Sequence, residues 1–175
     1  MGALLSSLLA RFYEKKLDLV IVGLENSGKS TLLSVLATGV PVETIPTIGL
    51  SVKVVRKNSV TLKCWDIGGQ KKYRQEWSRY TSGCDVILFV VDVSDFDKIP
   101  VAREELKKLP QLVSSSTTPL LILANKIDLS PRLTEAELVD QLSLEDIQTI
   151  PWIVMPTSAI NCVGVESVME WLLEQ

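Results

Sequence analysis

The apolar run Leu17, Asp18, Leu19, Val20, Ile21, Val22 empties directly into Gly23, Leu24, Glu25, Asn26, Ser27, Gly28, Lys29 and Ser30, the spacing G-x-x-x-x-G-K-[ST]. A strand feeding such a loop, with a helix beginning at its lysine, constrains the chain more than any other stretch. The glycines let the backbone turn tightly with its N–H groups facing inward. Lys29 supplies a point charge for outer phosphates, and the Ser30 hydroxyl suits a magnesium ion. The predicted element is a cradle for a nucleoside triphosphate, and Thr31 falls in the first turn of the helix behind it.

At 175 residues the chain is long enough for one core without staples, and 46% hydrophobic with 22% charged residues is the composition of a packed domain. The formal net charge of −3 gives no general attraction to nucleic acid. Cys64, Cys84 and Cys162 form no C-x-x-C pair, and the chain contains no histidine to complete a zinc site. The missing histidine also removes the usual general base. Any catalysis must run on positioning, charge stabilisation and metal, which suits phosphoryl transfer.

Buried apolar runs at 17–22, 86–91, 120–124 and 152–155 are each followed by a polar loop and a helix-like segment. This pattern predicts an α/β fold of the P-loop NTPase type: a doubly wound, mostly parallel sheet of about six strands with helices on both faces and the ligand beyond the strands' carboxyl ends. Segments 51–56 and 59–65, joined through Lys57 and Asn58, alternate around Val60, Leu62 and Cys64 and predict an antiparallel edge hairpin. Helices are expected at 29–37, 70–80, 101–109, 134–142 and 164–173, the fourth opening on a capping box at Thr134 and Glu137.

Further pieces of a nucleotide site lie at the ends of these elements. Trp65, Asp66, Ile67, Gly68, Gly69 and Gln70 place a carboxylate at a strand end, then glycine backbone that can approach a terminal phosphate, then an amide able to orient water. Asn125, Lys126 and Asp128 follow the third buried strand. The Asp128 carboxylate offers two acceptors for the adjacent N–H groups of guanine, a donor pair adenine lacks. Ser158 and Ala159 follow the last strand, where small residues let backbone meet a base edge. Thr47, in the loop ahead of the hairpin, places a hydroxyl for magnesium. Taken singly, Asp66 reads equally well as a helix cap, Gln70 as a solvated first-turn residue, Asn125 and Asp128 as an Asx turn and Thr47 as a turn threonine. Their joint occurrence in one order favours the site.

At this point the chain resembles the small GTPases, specifically the Arf and Arf-like family, over essentially its whole length. Gly2, Val22-Gly23-Leu24, Ile45-Pro46-Thr47-Ile48-Gly49, Trp65 through Gln70 and Ala124-Asn125-Lys126 carry the resemblance. It implies Mg-GTP and GDP binding in the phosphate loop, magnesium ligation by Ser30 and Thr47, contact of the Gly69 amide with the γ-phosphate and water positioning by Gln70. It also implies guanine recognition by Asn125, Lys126 and Asp128. Glu25, Ser30 and the pair Leu50-Ser51 depart from the commonest pattern of aspartate, threonine and phenylalanine-asparagine. The implied effector surface is Leu50, Trp65, Trp77 and Tyr80, with burial of the two tryptophans as the competing reading.

The start of the chain, Met1-Gly2-Ala3-Leu4-Leu5-Ser6, matches an N-myristoylation pattern with Gly2 as acceptor. Leu4, Leu5, Leu8, Leu9 and Phe12 then recur at helical spacing, predicting an amphipathic membrane helix over 1–16 ahead of a GTP-binding domain over 17–175. The expectation is a membrane-associated GTP/GDP switch with slow intrinsic hydrolysis, served by an exchange factor, a GTPase-activating protein and effectors. It would sit peripherally on the cytosolic face of an endomembrane, Golgi or endolysosomal. A P-loop kinase and a non-hydrolysing nucleotide-bound adaptor are the alternatives.

Overall fold

A computed structural model describes residues 15–175, so the expected amphipathic helix and Gly2 lie outside the described residues. The elements run β1 (Lys15–Val22), α1 (Lys29–Thr38), β2 (Leu50–Lys57), β3 (Val60–Ile67), α2 (Trp77–Thr81), β4 (Val86–Asp92), α3 (Ile99–Leu106), α4 (Leu109–Leu112), β5 (Leu120–Asn125), α5 (Glu135–Gln141), β6 (Trp152–Thr157) and α6 (Val165–Glu174). Lys15 and Lys16 open β1 rather than closing the amphipathic helix: the Lys15 amide donates to the Ser59 carbonyl at 2.9 Å, and the two residues register with Val60 and Thr61. Backbone pairing thus carries the strand two positions beyond its apolar run.

The six strands form one sheet in the order β2-β3-β1-β4-β5-β6, with β2 antiparallel to β3 and every other pair parallel. All of β5 and all but the last residue of β4 are buried, the burial a parallel sheet covered on both sides requires. Alternation sorts β1 between the two layers. Leu19 and Ile21 pack with Leu32 of α1 and Val168 and Leu172 of α6, while Val20 and Val22 pack with Trp77, Ile99, Leu106 and Leu138. The hairpin lies at the sheet edge as predicted. Asn58 at φ 55° supplies the left-handed residue of its two-residue turn.

Two predicted helices differ from those observed. Over 101–109 the chain divides into α3 and α4, because Pro110 has no N–H to bond and its ring clashes with a continuing helix. In a four-residue helix that opens one position earlier, the same proline is harmless. Over 70–80, Gln70 keeps extended backbone at φ −63° and ψ 145°, residues Lys71–Glu76 form a 3₁₀ segment, and only Trp77–Thr81 is α-helical.

Because five strands are mutually parallel, their carboxyl ends open on one edge. Register places Ile21 beside Asp66, Asp92 beside Asn125, and Asn125 beside Thr157. Loops far apart in sequence meet there.

Trp77 is withdrawn from the expected effector surface. It is 2% exposed, its ring stands edge-on to Phe89 at 6.2 Å, and its indole Nε1 donates to the Gly68 carbonyl at 3.4 Å. Apolar burial outweighs any surface role, since a large aromatic gains most by leaving water. Trp77→Ala should therefore cost about 3–5 kcal/mol, read as a lowered urea midpoint at unchanged slope. Tyr80→Ala, at a half-buried position, should cost clearly less.

Candidate nucleotide site

The loop between β1 and α1 is bent by left-handed backbone at Gly23 (φ 140°), Asn26 (φ 64°) and Gly28 (φ 94°). At Gly28 glycine is required twice over, by that conformation and because a Cβ would run into the Asn125 amide. Lys29, only 6% exposed, returns its ammonium over the loop and donates to the Gly23 carbonyl at 2.9 Å and the Leu24 carbonyl at 2.7 Å. Burial pushes that ammonium down to about 8, against the opposing pull of Asp66 and Glu25. A polyanion beside it would favour the charged form. The loop borders a cavity of about 540 Å³, a size suited to a nucleotide-scale ligand. Glu25, Asn26, Gly28, Lys29, Ser30 and Thr31 line it, whereas Gly23, Leu24 and Ser27 do not.

Three segments bring oxygen donors together at one wall. Ser30 Oγ donates to Asp66 Oδ2 at 2.6 Å and lies 2.9 Å from Thr47 Oγ1, which is itself 3.3 Å from Asp66 Oδ2. Asp66 is 2% exposed, and its Oδ1 is buried without a hydrogen-bond partner. Burial pushes its carboxyl up, opposed by Ser30, Lys29 and Thr47. Two hydroxyls beside a carboxylate with an unused buried oxygen make a hard-oxygen set of the kind magnesium takes, with phosphate oxygens and water completing the shell.

The base end is organised by Asn125, at 1% exposure. Its Nδ2 donates to the Ser27 carbonyl at 2.8 Å, and its Oδ1 accepts from Thr157 Oγ1 and the Ala159 amide, both at 3.1 Å. One side chain thus ties the phosphate loop, β5 and the loop after β6. Ser158 Oγ donates to Asp128 Oδ1 at 2.5 Å, which aims that carboxylate. Lys126, in left-handed backbone at φ 68°, pairs its ammonium with Asp92 Oδ2 at 2.7 Å. Burial raises the Asp92 carboxyl, but hydrogen bonds from Lys126 and Ser94 outweigh it and hold the group below the usual carboxylate range. Asn125, Lys126, Asp128 and Ala159 all border the same cavity as the phosphate loop, and Ser158 stands behind them.

Gly69 and Gln70 also line the cavity. Gly69 lies so near the phosphate loop that a Cβ would enter the Leu24 and Glu25 backbone. Glu25 is itself engaged, its Oε2 taking an Arg74 guanidinium N–H at 3.1 Å. Burial raises the Glu25 carboxyl, and hydrogen bonds from its own backbone and from Arg74 overcome that and lower it. Outside the cavity, Leu50, Val52 and Val54 are exposed along one face of β2, the face on which Trp65 stands opposite Val52. Trp65 is half-buried, tilted against Tyr80 at 5.6 Å, with Lys63 over its ring at 4.2 Å.

Sequence reasoning passed over Asp92, Arg74, Val52 and Val54, and it took Thr157 only as one of the small residues beside Ser158, not as a partner of Asn125. Asp92 closes an apolar run just as Asn125 does, so its place at a strand end was a usable sign. The alternation Leu50, Val52, Val54 likewise marked a one-sided apolar strip. Arg74 carries no spacing pattern that would single it out.

The ADP-ribosylation factor family model matches residues 1–175. ADP-ribosylation factor-like protein 8c of Arabidopsis thaliana is 39% identical over 173 residues, covering 98% of this chain and 94% of that protein. ADP-ribosylation factor-like protein 8b of the same plant is 36% identical over the same span. Among solved structures, the Arl6 BBS3 small GTPase from Trypanosoma brucei with bound nucleotide analogue GppNp superposes with a TM-score of 0.83 at 31% identity, over 91% of this chain and 96% of that one.

If Asn125 ties the three segments, Asn125→Ala leaves the Ala159 amide and the Ser27 carbonyl without their partner, at about 1–3 kcal/mol for each buried group orphaned. Amide hydrogen exchange should show Ala159 losing protection while β4 keeps its own. Unchanged protection at Ala159 would contradict the tie.

Proposed function

This chain belongs to the ADP-ribosylation factor family and is a GTPase, a GTP-binding molecular switch, and on that premise we propose how its own residues bind, read and hydrolyse the nucleotide. The observation that carries the reading is the convergence of Ser30, Thr47 and Asp66 from three separate segments within hydrogen-bond reach. In this reading Ser30 and Thr47 hold magnesium, with Asp66 acting through water. Once bound, the ion would supply charge neutralisation at the outer phosphates. Lys29 and the phosphate-loop amides of residues 23–31 hold the phosphate chain, and the Gly69 amide meets the terminal phosphate.

Guanine is read by Asp128, whose carboxylate is aimed by Ser158 and accepts from the ring N–H and exocyclic amine. Asn125 keeps one amide hydrogen for the base edge after bonding Ser27, Lys126 lies along the ring, and the Ala159 backbone meets the base. Gln70 orients the attacking water. No arginine among the described residues lines the cavity, which supports slow intrinsic hydrolysis completed by a GTPase-activating protein that brings charge in trans. Membership in a GTPase family sets aside both the kinase and the non-hydrolysing adaptor.

The family implies exchange factors, activating proteins and effectors in general. For this chain we assign the effector surface to Leu50, Trp65 and Tyr80, extended by Val52 and Val54, with Trp77 supporting it from beneath. Gly2 acylation and the leucine face of residues 4–12 would hold the switch on the cytosolic face of an endomembrane, Golgi or endolysosomal, where it would serve intracellular membrane trafficking. One acyl chain binds marginally, so both contributions are needed.

Competition among GTP, GDP and ATP, with and without magnesium, tests base identity and metal role together. The expected result is displacement of GTP by GDP and none by ATP, and equal displacement by ATP would end the reading. Asp128→Asn replaces one acceptor with a donor and should weaken GTP by about a hundredfold or more while improving xanthine triphosphate, whose second position carries a carbonyl. Gln70→Leu should slow partner-stimulated hydrolysis by about a hundredfold or more at little cost in GTP affinity. Intact mass after expression in a eukaryotic host decides Gly2, since an unacylated mass would remove the anchor.

A further inference from the structure

We propose that Arg74 is a positioning residue for GTP hydrolysis: anchored by Glu25 of the phosphate loop and Glu105 of α3, it fixes the Gly69–Gln70 peptide and so the bearing of the Gln70 side chain. The inference rests on the reading of Gln70 as the water-orienting residue and adds the device that holds it. Gln70 lies in no regular element. It sits between a glycine pair and a 3₁₀ segment that begins at Lys71, at half exposure. A side chain there has no helix or strand to aim it, yet hydrolysis demands an approach fixed to within fractions of an ångström.

The guanidinium supplies that constraint. Arg74 Nε donates to the Gly69 carbonyl at 2.9 Å, one terminal nitrogen donates to Glu25 Oε2 at 3.1 Å, and the other lies 3.6 Å from Glu105 Oε1. Its side chain is 11% exposed and that of Glu105 17%, so this side of the hub is shielded from water and salt, while Glu25 is 41% exposed. A peptide unit is planar, so holding the Gly69 carbonyl also sets the direction of the Gln70 N–H and the position of its Cα. Gly69 cannot slide away on its other side, because its backbone is already pressed against Leu24 and Glu25.

Only arginine fits this post. Its planar fork bonds a carbonyl and one carboxylate and pairs electrostatically with a second, on three segments at once, while a lysine ammonium is a single point charge. With both carboxylates on it and no share in the cavity wall, Arg74 is not an arginine finger within this chain. Glu25 takes the role of anchor: a phosphate-loop carboxylate beside a polyanion is unfavourable unless neutralised, and Arg74 does so. The longer glutamate, where the family resemblance expects aspartate, reaches the guanidinium.

The test is single-turnover GTP hydrolysis by the full chain, without a partner, in parallel for Arg74→Ala, Arg74→Lys, Glu25→Gln, the double variant Glu25→Gln with Arg74→Ala, and Gln70→Leu. Arg74→Ala and Arg74→Lys should each slow hydrolysis about 10- to 100-fold while the GTP Kd moves less than about threefold. The double variant should be no slower than Arg74→Ala alone, because both changes remove one device. Free guanidinium ion at millimolar concentration should restore part of the rate to Arg74→Ala and none to Gln70→Leu, a rescue that a merely structural arginine would not show. Should Arg74→Ala fold poorly, Arg74→Lys decides. Hydrolysis within twofold of wild type in a folded Arg74 variant, with Gln70→Leu slow, overturns the clamp and leaves Gln70 standing. Additive losses in the double variant also overturn it. A Gln70→Leu protein as fast as wild type overturns the reading of Gln70 and the clamp's route through it.

Discussion

Everything at the nucleotide site hangs on one buried amide. Asn125 stands at the end of β5, beside Asp92 in β4 and Thr157 in β6, and spends its two functional atoms on three partners in two other segments, the phosphate loop and the end of β6 with the loop after it. An amide is suited to this because it donates and accepts at once, whereas a carboxylate or an ammonium in the same place would be a buried charge. Register does the rest. A parallel sheet delivers five strand ends to one edge, and a single side chain with both polarities fastens the loops that leave it. The glycine at position 28 belongs to the same constraint, since any larger residue would displace the Asn125 amide.

Two ion pairs show how charge is managed around that edge. Lys126 bonds Asp92, which fixes its head and leaves its aliphatic stem at the cavity. Arg74 bonds Glu25 and approaches Glu105, which turns a phosphate-loop carboxylate from a liability into an anchor. Each pair is partly buried and charge-assisted, and each binds segments distant in sequence. Both therefore act on loop position more than on the stability of any one element.

Much of this was legible in the chain itself. The phosphate loop, the hairpin edge, the capping box at Thr134 and the strand-end residues Asp66, Asn125 and Asp128 follow from local spacing, and local spacing is what a single sequence displays. The Thr134 hydroxyl accepts from the Glu137 amide at 3.3 Å while the Glu137 carboxylate accepts from the Thr134 amide at 2.8 Å, a motif complete within four residues. What escaped depends on contacts between distant segments. Trp77 reads as a surface anchor until the neighbouring Phe89 is known to lie 12 residues on in β4. Arg74 is one basic residue among several in its segment until its three partners are placed. The split at Pro110 was the exception, a local sign that an apolar helical pattern overrode.

The same geometry explains why the chain can act as a switch. Thr47 reaches Ser30 and Asp66 from a loop whose neighbours Ile45 and Ile48 are 84% and 80% exposed, so little apolar burial holds that loop in place. Segments with few buried contacts open at small free-energy cost, the condition a ligand-controlled element needs. Driving such a loop from about 1:99 to 99:1 takes about 5.5 kcal/mol of differential binding. Hydrogen bonds to charged groups contribute about 1.5–3 kcal/mol each, so two to four new contacts at a terminal phosphate suffice. In the reading proposed for this site, Thr47 and the Gly69 amide, which line one cavity, would provide contacts of that kind.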